Sequence, residues 1–356
     1  MAMVQARAGP ATVIPVRPAR FATRPDAFIR GCFPDLAKAT PAGAPRRLAN
    51  SHVWRWRSPA CGMVFVKWRP LGAVGPTGRD GAHHAADHLR ERGLPIPRSL
   101  AGLDGAPWAE GSGLLLDAWV AGTGEDPYAD RNPFAPLVHA AHALALGKML
   151  GEVAHHRPTK AAHRPVAEPG VWADTSWLAG DASVVGPVPD GLPHLRAAWA
   201  EARPLVQTLL ADHPWPGGPE CWHHGDPLPR NMLFAAGAVS CLFDFEGWTT
   251  GPEGLDLALA VAALAFPWPV LTAGGDPRPE VARLLIEGWS ATRARPDAGA
   301  LVPMVVLGRV GGAFRRARQM AQFGRIADGL PFLSGSLAML RWWTGPEGRD
   351  WRGRLA

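Results

Sequence analysis

Cysteine and tyrosine are scarce in this sequence, and the cysteines are far apart. The 356 residues include one tyrosine and four cysteines, and no two cysteines form a CxxC pair. That spacing argues against a structural zinc site, and a chain of this length does not need a disulfide framework to fold. We therefore expect free thiols and a reducing, cytoplasmic setting.

Long apolar runs are also absent. No stretch approaches the about 18 consecutive apolar residues of a membrane-spanning helix. Prolines interrupt the first 24 residues, which carry four arginines and no acidic residue. Because this start lacks the apolar core of a signal peptide, we expect a flexible arm over residues 1–28 and no membrane association.

The charge is mildly basic and is not concentrated in one block. Lys and Arg number 37 against 31 Asp and Glu, which gives a net charge of +6. Aromatic residues do not alternate with Lys and Arg along a strand pair, as an RNA-recognising sheet requires, so nucleic acid is not an expected partner. Hydrophobic residues make up 47% of the 356 residues, a length and composition that suit two lobes with sizeable cores.

The first third of the chain is predicted to be mainly strands. Residues 50–56 and 63–68 are rich in strand-favouring residues around a turn at 58–62, which predicts an antiparallel hairpin. A helix is expected over 82–92, where Gly93 and Pro95 stop it. Residues 98–100 and 113–116 add two short strands.

The remainder is predicted to be mainly helical, with strands and loops between 222 and 245 and a Pro/Gly-rich insertion at 157–192. The helices are expected at 134–156, 195–210, 255–266, 279–292, 299–324 and 332–343. This order predicts an α+β fold with a small β-rich N-terminal lobe at 29–117 and a larger helical C-terminal lobe at 118–356, joined by a connector near 117–122.

The strongest chemical signal is the stretch HGDPLPRN at residues 224–231. Phosphoryl transfer needs a carboxylate that accepts the proton of the substrate hydroxyl and oxygens that hold Mg²⁺ on the phosphates. Kinase catalytic loops place an Asp and an Asn five residues apart for these two tasks. Asp226 and Asn231 have this spacing, so we interpret Asp226 as the candidate base and Asn231 as a candidate metal ligand.

A hairpin is predicted directly after this loop. Residues 231–234 and 239–243 read as strands around a turn at 236–237, and the second strand ends at Asp244. An Asp that a returning strand brings beside Asn231 can bind the same Mg²⁺. Glu246 follows two positions later and, on a strand, would point the same way, which suggests a second contact with metal.

In this order the motifs resemble the aminoglycoside phosphotransferase and choline kinase-like family, over residues 45 to 265. The resemblance depends on HGDPLPRN, on FDFEGWTTGPEGLDLA at 243–258 and on an upstream strand lysine. It implies a protein-kinase-like fold that uses ATP and Mg²⁺. The family roles that it carries over are those of the catalytic base Asp226, the metal ligands Asn231 and Asp244, and the loop-positioning residues His224 and Asp256.

The nucleotide side of the site is expected in the first lobe. Lys67 ends a strand that resembles the one presenting the ATP-binding lysine, which contacts the α- and β-phosphates. Asn50 and Ser51 resemble the short nucleotide loop of the family, in which backbone N–H groups meet phosphates. Residues 114–122 resemble the interlobe connector that binds adenine, and we expect Asp117, Trp119 and Val120 to line it.

One position departs from the family pattern. Kinases pair the ATP-binding lysine with a glutamate on a helix, and the position at which the family usually has that glutamate is occupied here by Ala82. Asp80 and Asp87 are the nearest acidic residues, so the partner of Lys67 stays open. His223 matches no family position and is interpreted as a buried structural residue.

The acceptor is left open among three hypotheses. From residue 257 onward there are thirteen Arg and seven Asp or Glu, unlike the acid-lined pocket that a polycationic aminoglycoside needs; the arginines form either a solvated face or a site for a neutral or anionic acceptor. The first hypothesis is O-phosphorylation of a small molecule such as a natural product, antibiotic or sugar-like alcohol. The others are a peptide Ser/Thr kinase acting on a precursor peptide, and a pseudokinase-type binding module, against which the intact site residues argue.

Overall fold

The computed structural model describes most of the chain in nine stretches. These are residues 26–47, 51–70, 76–111, 113–128, 139–156, 193–216, 220–266, 277–322 and 326–355. Residues 1–25 of the predicted arm, Asn50 and the insertion at 157–192 lie outside them. Residues 26–28, predicted as part of the arm, belong to the helix α1, Asp26–Cys32.

An antiparallel sheet forms the N-terminal lobe. Its order is β1-β3-β4-β6-β5, and β2 pairs with the free part of β3. The strands are β1 (Thr40–Pro41), β2 (Arg46–Arg47), β3 (His52–Ser58), β4 (Gly62–Pro70), β5 (Trp108–Gly111) and β6 (Leu114–Val120). The predicted hairpin is β3 and β4, whereas β5 was not predicted.

The two faces of this sheet have different roles. Alternate residues such as Trp54, Trp56 and Val66 are buried in a core that α1 and the 3-10 turn Pro34–Leu36 cover. Side chains of a strand point alternately to opposite faces, so Lys67 lies on the other face of β4. That second face looks toward the C-terminal lobe and holds the charged residues described below.

The helix α2, Pro76–Glu91, packs between the sheet and the C-terminal lobe. Its residues Ala82, Ala85 and Leu89 are buried in the core of that second lobe. At Gly81 a Cβ atom would lie 2.3 Å from the Trp248 ring, so the helix backbone touches the loop that follows Asp244. The position of α2 therefore depends on both lobes.

Helices dominate the described residues from 139 onward. They are α3 (Ala140–His155), α4 (Pro193–Asp212), α5 (Leu255–Leu264), α6 (Pro279–Ser290), α7 (Ala298–Gln322), α8 (Ile326–Thr344) and α9 (Pro346–Leu355). Two glycines let α3 and α6 meet backbone to backbone, because a Cβ at Gly147 would lie 2.0 Å from Leu285 O and one at Gly288 would lie 2.0 Å from Leu144 O. The helix α9 was not predicted.

Two short β-ladders lie between these helices and carry the site. The first pairs β7 (Glu220–His223) with β10 (Thr249–Pro252), and the second is the predicted hairpin of β8 (Met232–Ala235) and β9 (Ala238–Leu242). Within the described residues, no helix combines the length and apolar character that crossing a bilayer requires.

Candidate active site

The loop between β7 and β8 is held against the segment that follows β9. Gly225 has φ +79°, and a Cβ there would lie 1.7 Å from the carbonyl oxygen of Gly247. Only glycine fits this position, because any side chain would push the loop away from the turn Phe245–Gly247. The contact brings Asp226 close to the residues around Asp244.

Asp256 fixes the start of this loop through hydrogen bonds to its backbone. It is fully buried in the first turn of α5, and its two carboxylate oxygens accept hydrogen bonds from the backbone N–H groups of His224, at 2.5 Å, and Gly225, at 2.9 Å. The amino end of a helix favours a negative charge. His223, whose Nε2 donates to the Gly251 carbonyl at 3.2 Å, is buried beside it, as a structural residue would be.

His224 connects the loop to the strand that carries Asp244. Its Nε2 donates to the carbonyl of Phe243 at 2.9 Å, and its Nδ1 accepts from the backbone N–H of Asp226 at 3.3 Å. Since a carbonyl can only accept and a backbone N–H can only donate, these bonds define the neutral tautomer with the proton on Nε2. The imidazole thus sets the spacing between Asp226 and Asp244.

One oxygen of Asp226 is engaged and the other is open. Oδ2 accepts from Asn231 Nδ2 at 2.9 Å and from Arg230 Nη2 at 3.0 Å. The same Asn231 nitrogen also donates to the backbone carbonyl of Asp226 at 2.9 Å. Within the described part of the chain, neither Asp226 Oδ1 nor the amide oxygen of Asn231 takes part in a hydrogen bond. These two oxygens are therefore available to a substrate and a cation.

Asp244 and Lys67 join the two lobes. Lys67 Nζ lies 2.9 Å from Asp244 Oδ1, and the two side chains are 13% and 27% exposed. Burial alone would raise the pKa of Asp244, but the charge and hydrogen bond of Lys67, with a smaller effect of the Arg230 charge, hold that pKa below its ordinary value. Asp244 is thus kept as a carboxylate, the form that binds Mg²⁺.

The structure changes the expectation for Glu246. The strand β9 ends at Leu242, Asp244 has φ +69° in the left-handed region, and Phe245–Gly247 forms a 3-10 turn. The prediction that Glu246 points the same way as Asp244 on a strand is therefore wrong, because the strand ends before Asp244. The side chain of Glu246 lies outside the described part of the structure.

The stretch predicted as the connector is a central strand. The strand β6 pairs with β4 as far as Val120. On the opposite edge of β6, Leu100 N donates to Ala118 O and Val120 N donates to Arg98 O, each at 2.8 Å. Strand pairing therefore continues to Val120, while the division into lobes at residues 117 and 118 stays a prediction. Trp119 lies in this strand as well.

Asp117 is the centre of a buried ionic cluster. Arg69 Nη2 lies 2.6 Å from its Oδ2, and His83 Nε2 donates to its Oδ1 at 2.9 Å. Burial would raise the pKa of Asp117, but the hydrogen bond of His83 and the charges of Arg69, His83 and Lys67 keep that pKa below its usual value. The expected contact of Asp117, Trp119 and Val120 with adenine is made by the backbone, so the burial of the Asp117 side chain does not bear on it and that contact stays a prediction.

The cluster also bears on the missing helix glutamate. Ala82 is buried in the core of the C-terminal lobe, while its neighbour His83 reaches from α2 to Asp117 and stacks on Trp119 with ring centroids 4.7 Å apart. Asp87 pairs with Arg90 at 2.8 Å. A histidine thus connects α2 to the sheet near the position at which a glutamate was expected, and no residue pattern signalled it.

Two aromatic residues face each other beside the Lys67–Asp244 pair. Phe65 precedes Lys67 by two positions on the same face of β4, and Phe243 directly precedes Asp244. Their rings are nearly parallel, with an interplanar angle of 13° and centroids 6.5 Å apart.

Ser51, a residue of the predicted nucleotide loop, lies directly before β3 and is buried. Its hydroxyl has no hydrogen-bond partner among the described residues.

The oxygens of Asn231 and Asp244 fit a cation that arrives with a nucleotide. Among the described residues, no group of three or more His, Cys, Asp or Glu side chains is placed to hold a metal ion by itself. Mg²⁺ is commonly bound by one or two carboxylates together with waters and substrate phosphates. The backbone carbonyl oxygen of Asn231 accepts a hydrogen bond from the backbone N–H of Phe243 at 3.0 Å. This bond keeps Asn231 close to Asp244, the residue after Phe243.

Comparisons with known proteins concern the family and the fold of the chain. Residues 49–298 match the model of the phosphotransferase enzyme family, and a search of the curated proteins found no match. A microcompartment-associated aminopropanol kinase has a similar structure, with 15% identity, a TM-score of 0.64 and coverage of 93% of this chain and 98% of that one. A spectinomycin phosphotransferase in complex with ADP and spectinomycin has 12% identity, a TM-score of 0.56 and coverage of 86% and 92%.

Proposed function

Because the chain belongs to the phosphotransferase enzyme family, we propose that it transfers the γ-phosphate of ATP to a hydroxyl group of a small molecule, with Mg²⁺ on the nucleotide and Asp226 as the base. The family and the protein-kinase-like α+β fold predicted from the motifs are confirmed. What supports the finer proposal is one observation: Lys67, from a distant part of the sequence, meets the neighbouring residues Asp226, Asn231 and Asp244 at the junction of the lobes.

The nucleotide is expected between the sheet and the β8–β9 hairpin. Lys67 supplies a cation for the phosphates on the inner face of β4, and the half-buried rings of Phe65 and Phe243 lie next to it. Asp244 and Asn231 would hold the Mg²⁺, which neutralises charge on the β- and γ-phosphates when it is bound. In the structure, Lys67 balances the charge of Asp244.

The chemistry is expected at the open oxygen of Asp226. Asn231 and Arg230 occupy Oδ2, so Oδ1 is the atom that accepts the proton of the substrate hydroxyl. The hydroxyl oxygen forms a bond to the γ-phosphorus, and the bond from that phosphorus to the ADP oxygen breaks. Positioning and electrostatic stabilisation supply most of the catalysis in such transfers, and the bonds of His224 and Asp256 provide the required rigidity.

The small-molecule acceptor is supported by the kinds of relatives that share the fold. One solved relative is described as an aminopropanol kinase, and another was solved with spectinomycin. Both names belong to those proteins, and their low identity to this chain leaves the acceptor itself to experiment. A small hydroxyl compound is the class that they have in common.

The test is a panel of acceptors incubated with the protein, ATP and Mg²⁺ and read by mass spectrometry. The panel contains an amino alcohol, an aminoglycoside, a neutral antibiotic and a Ser-rich peptide, with the Asp226→Ala variant as the blank. We expect the mass of one phosphate to be added to a small molecule by the wild type only. Phosphate on the peptide alone, or equal transfer by the variant, would contradict the proposal.

A further inference from the structure

Arg230 is a charged residue of the catalytic loop for which the sequence motifs assigned no role. It lies in the 3-10 turn Pro229–Asn231, directly before Asn231 and four positions after Asp226. Its Nη2 donates to Asp226 Oδ2 at 3.0 Å, while its side chain is 39% exposed. The guanidinium therefore lies at the open side of the site, beside the candidate base.

Arg230 also lies next to the candidate metal ligands of the site. It directly precedes Asn231 in the 3-10 turn. The backbone carbonyl of Asn231 accepts a hydrogen bond from the backbone N–H of Phe243 at 3.0 Å, and Phe243 directly precedes Asp244, so Arg230 belongs to the same cluster as Asp226 and Asp244. The phosphoryl group in transit has to pass between the base and the metal ligand, so the same region would receive it.

The ion pair between Arg230 and Asp226 alone adds little to the stability of the fold. Exposed ion pairs add little to stability, and Asn231 already orients Asp226 through two hydrogen bonds. A guanidinium is always protonated, and its planar set of N–H donors matches the oxygens of a phosphate. Phosphoryl transfer spreads negative charge over the equatorial oxygens of the moving group, which is the charge that a fixed cation at this place would stabilise.

We propose that Arg230 contacts the phosphoryl group during transfer and is a further catalytic residue of this enzyme. Its bond to Asp226 Oδ2 places the guanidinium beside the candidate base, next to the place where the substrate hydroxyl would meet the γ-phosphate. The inference rests on the proposed function, because it presupposes phosphoryl transfer at Asp226.

The experiment needs no knowledge of the acceptor. The affinity of the full-length protein for ADP and Mg²⁺ is measured by calorimetry with and without aluminium fluoride, which imitates a phosphoryl group in transit. The variants are Arg230→Met and Arg230→Lys. The matched control is Arg283→Met, since Arg283 and Glu287 form an exposed pair of the same spacing at 2.8 Å on α6. Circular dichroism checks that each variant is folded.

The wild type and the Arg283→Met control should bind ADP more tightly when aluminium fluoride is present, by about 10²-fold or more. The affinity of Arg230→Met for ADP and Mg²⁺ should stay within about twofold of the wild-type affinity. The increase in affinity that aluminium fluoride causes should be at least about tenfold smaller than in the wild type, because arginines that contact the moving group contribute strongly. Arg230→Lys should lie between the two, since it keeps the charge and loses the planar donors.

Two results would overturn the inference while leaving the proposed function intact. One is a full fluoride gain in Arg230→Met, which would make Arg230 a surface ion-pair residue. The other is an equal loss of ADP affinity with and without fluoride, which would make it a nucleotide-binding residue only. Failure of the wild type itself to bind ADP with Mg²⁺ would instead contradict the proposed function.

Discussion

Lys67 and Asp244 are 177 positions apart in the sequence, yet Lys67 Nζ lies 2.9 Å from Asp244 Oδ1. Lys67 belongs to the sheet of the first lobe, and Asp244 follows the β8–β9 hairpin of the second. The pair is only partly exposed, so each side chain stabilises the charge of the other. It is a direct ion pair between the lysine predicted to bind ATP and a candidate metal ligand.

Replacing Lys67 by Met should therefore affect both folding and nucleotide binding. The change leaves the carboxylate of Asp244 without its cation, which we expect to lower the free energy of unfolding by about 1–3 kcal/mol. It also removes the cation for the phosphates, so ATP affinity should fall. Urea unfolding and calorimetry with ATP and Mg²⁺ measure the two effects.

The control is Lys148→Met, because Lys148 forms an exposed pair with Glu152 at 3.9 Å on α3. That variant should match the wild type in both measurements within about 1 kcal/mol. If Lys67→Met behaves like Lys148→Met, the interlobe pair does not have the role described.

Asp244→Asn should weaken the effect of Mg²⁺ on nucleotide binding. The amide keeps the shape of the side chain and loses the charge that a divalent cation requires. We expect Mg²⁺ to improve ATP affinity in the wild type, and we expect this improvement to fall by about 10–100-fold in the variant, the range seen when a metal site is disturbed. Titrations with ATP alone and with ATP plus Mg²⁺ measure it, and an unchanged improvement would exclude Asp244 as a ligand.

Asp117→Asn should be strongly destabilising because the side chain of Asp117 is buried together with its two partners. Arg69 and His83 would lose their carboxylate in a buried site, which costs about 3–5 kcal/mol when a buried ion pair is broken. Asp87→Asn is the control, because Asp87 and Arg90 form a more exposed pair worth about 0–1 kcal/mol. Urea unfolding distinguishes them, and equal stability of the two variants would contradict the account of the cluster.

The same cluster predicts a direction of pH dependence. The pKa of Asp117 in the folded protein lies below its ordinary value, which is about 3.9 in an unfolded chain. Its contribution to stability is therefore complete above that ordinary value and is lost as the pH falls through the lowered pKa. The Asp117→Asn variant should lose less stability than the wild type over this acidic range, as followed by unfolding at a series of pH values; a parallel loss would show that other groups dominate.

Gly225→Ala should disturb the contact between the catalytic loop and the Asp244 segment. Its control is Gly62→Ala, since both glycines have φ near +80° but only the Cβ at Gly225 meets an obstacle, at 1.7 Å, while the space at Gly62 is open. The control should cost about 1–2 kcal/mol for the left-handed backbone alone. The Gly225 variant should cost clearly more in urea unfolding, and equal costs would show that the loop does not pack as described.

Local patterns predicted part of this fold correctly. The β8–β9 hairpin was expected from strand-favouring residues around 236–237, where Ala236 and Gly237 both adopt positive φ, as a tight hairpin turn requires. The family resemblance depended on the spacing between Asp226, Asn231 and Asp244, which is also local in the sequence. Such short-range relations are visible without knowledge of the three-dimensional structure.

Relations between distant residues were harder to predict. The stretch at 114–122 was interpreted as a connector from its family resemblance, and the sequence did not reveal that Arg69 and His83 pack around a buried Asp117. The error at Glu246 arose because Asp244 turns the chain into the left-handed region, which strand propensity does not reveal. Arg230 was overlooked because its partner and its exposure depend on how the loop folds.

Turnover by Asp226→Asn tests the central claim most directly, with whichever acceptor the wild type phosphorylates. The amide cannot take up the hydroxyl proton, so turnover should fall by about 10²–10⁴-fold, while the affinity for ATP and Mg²⁺ measured on the same protein stays within about twofold of the wild type. Turnover at the wild-type rate would contradict the assignment of Asp226 as the base.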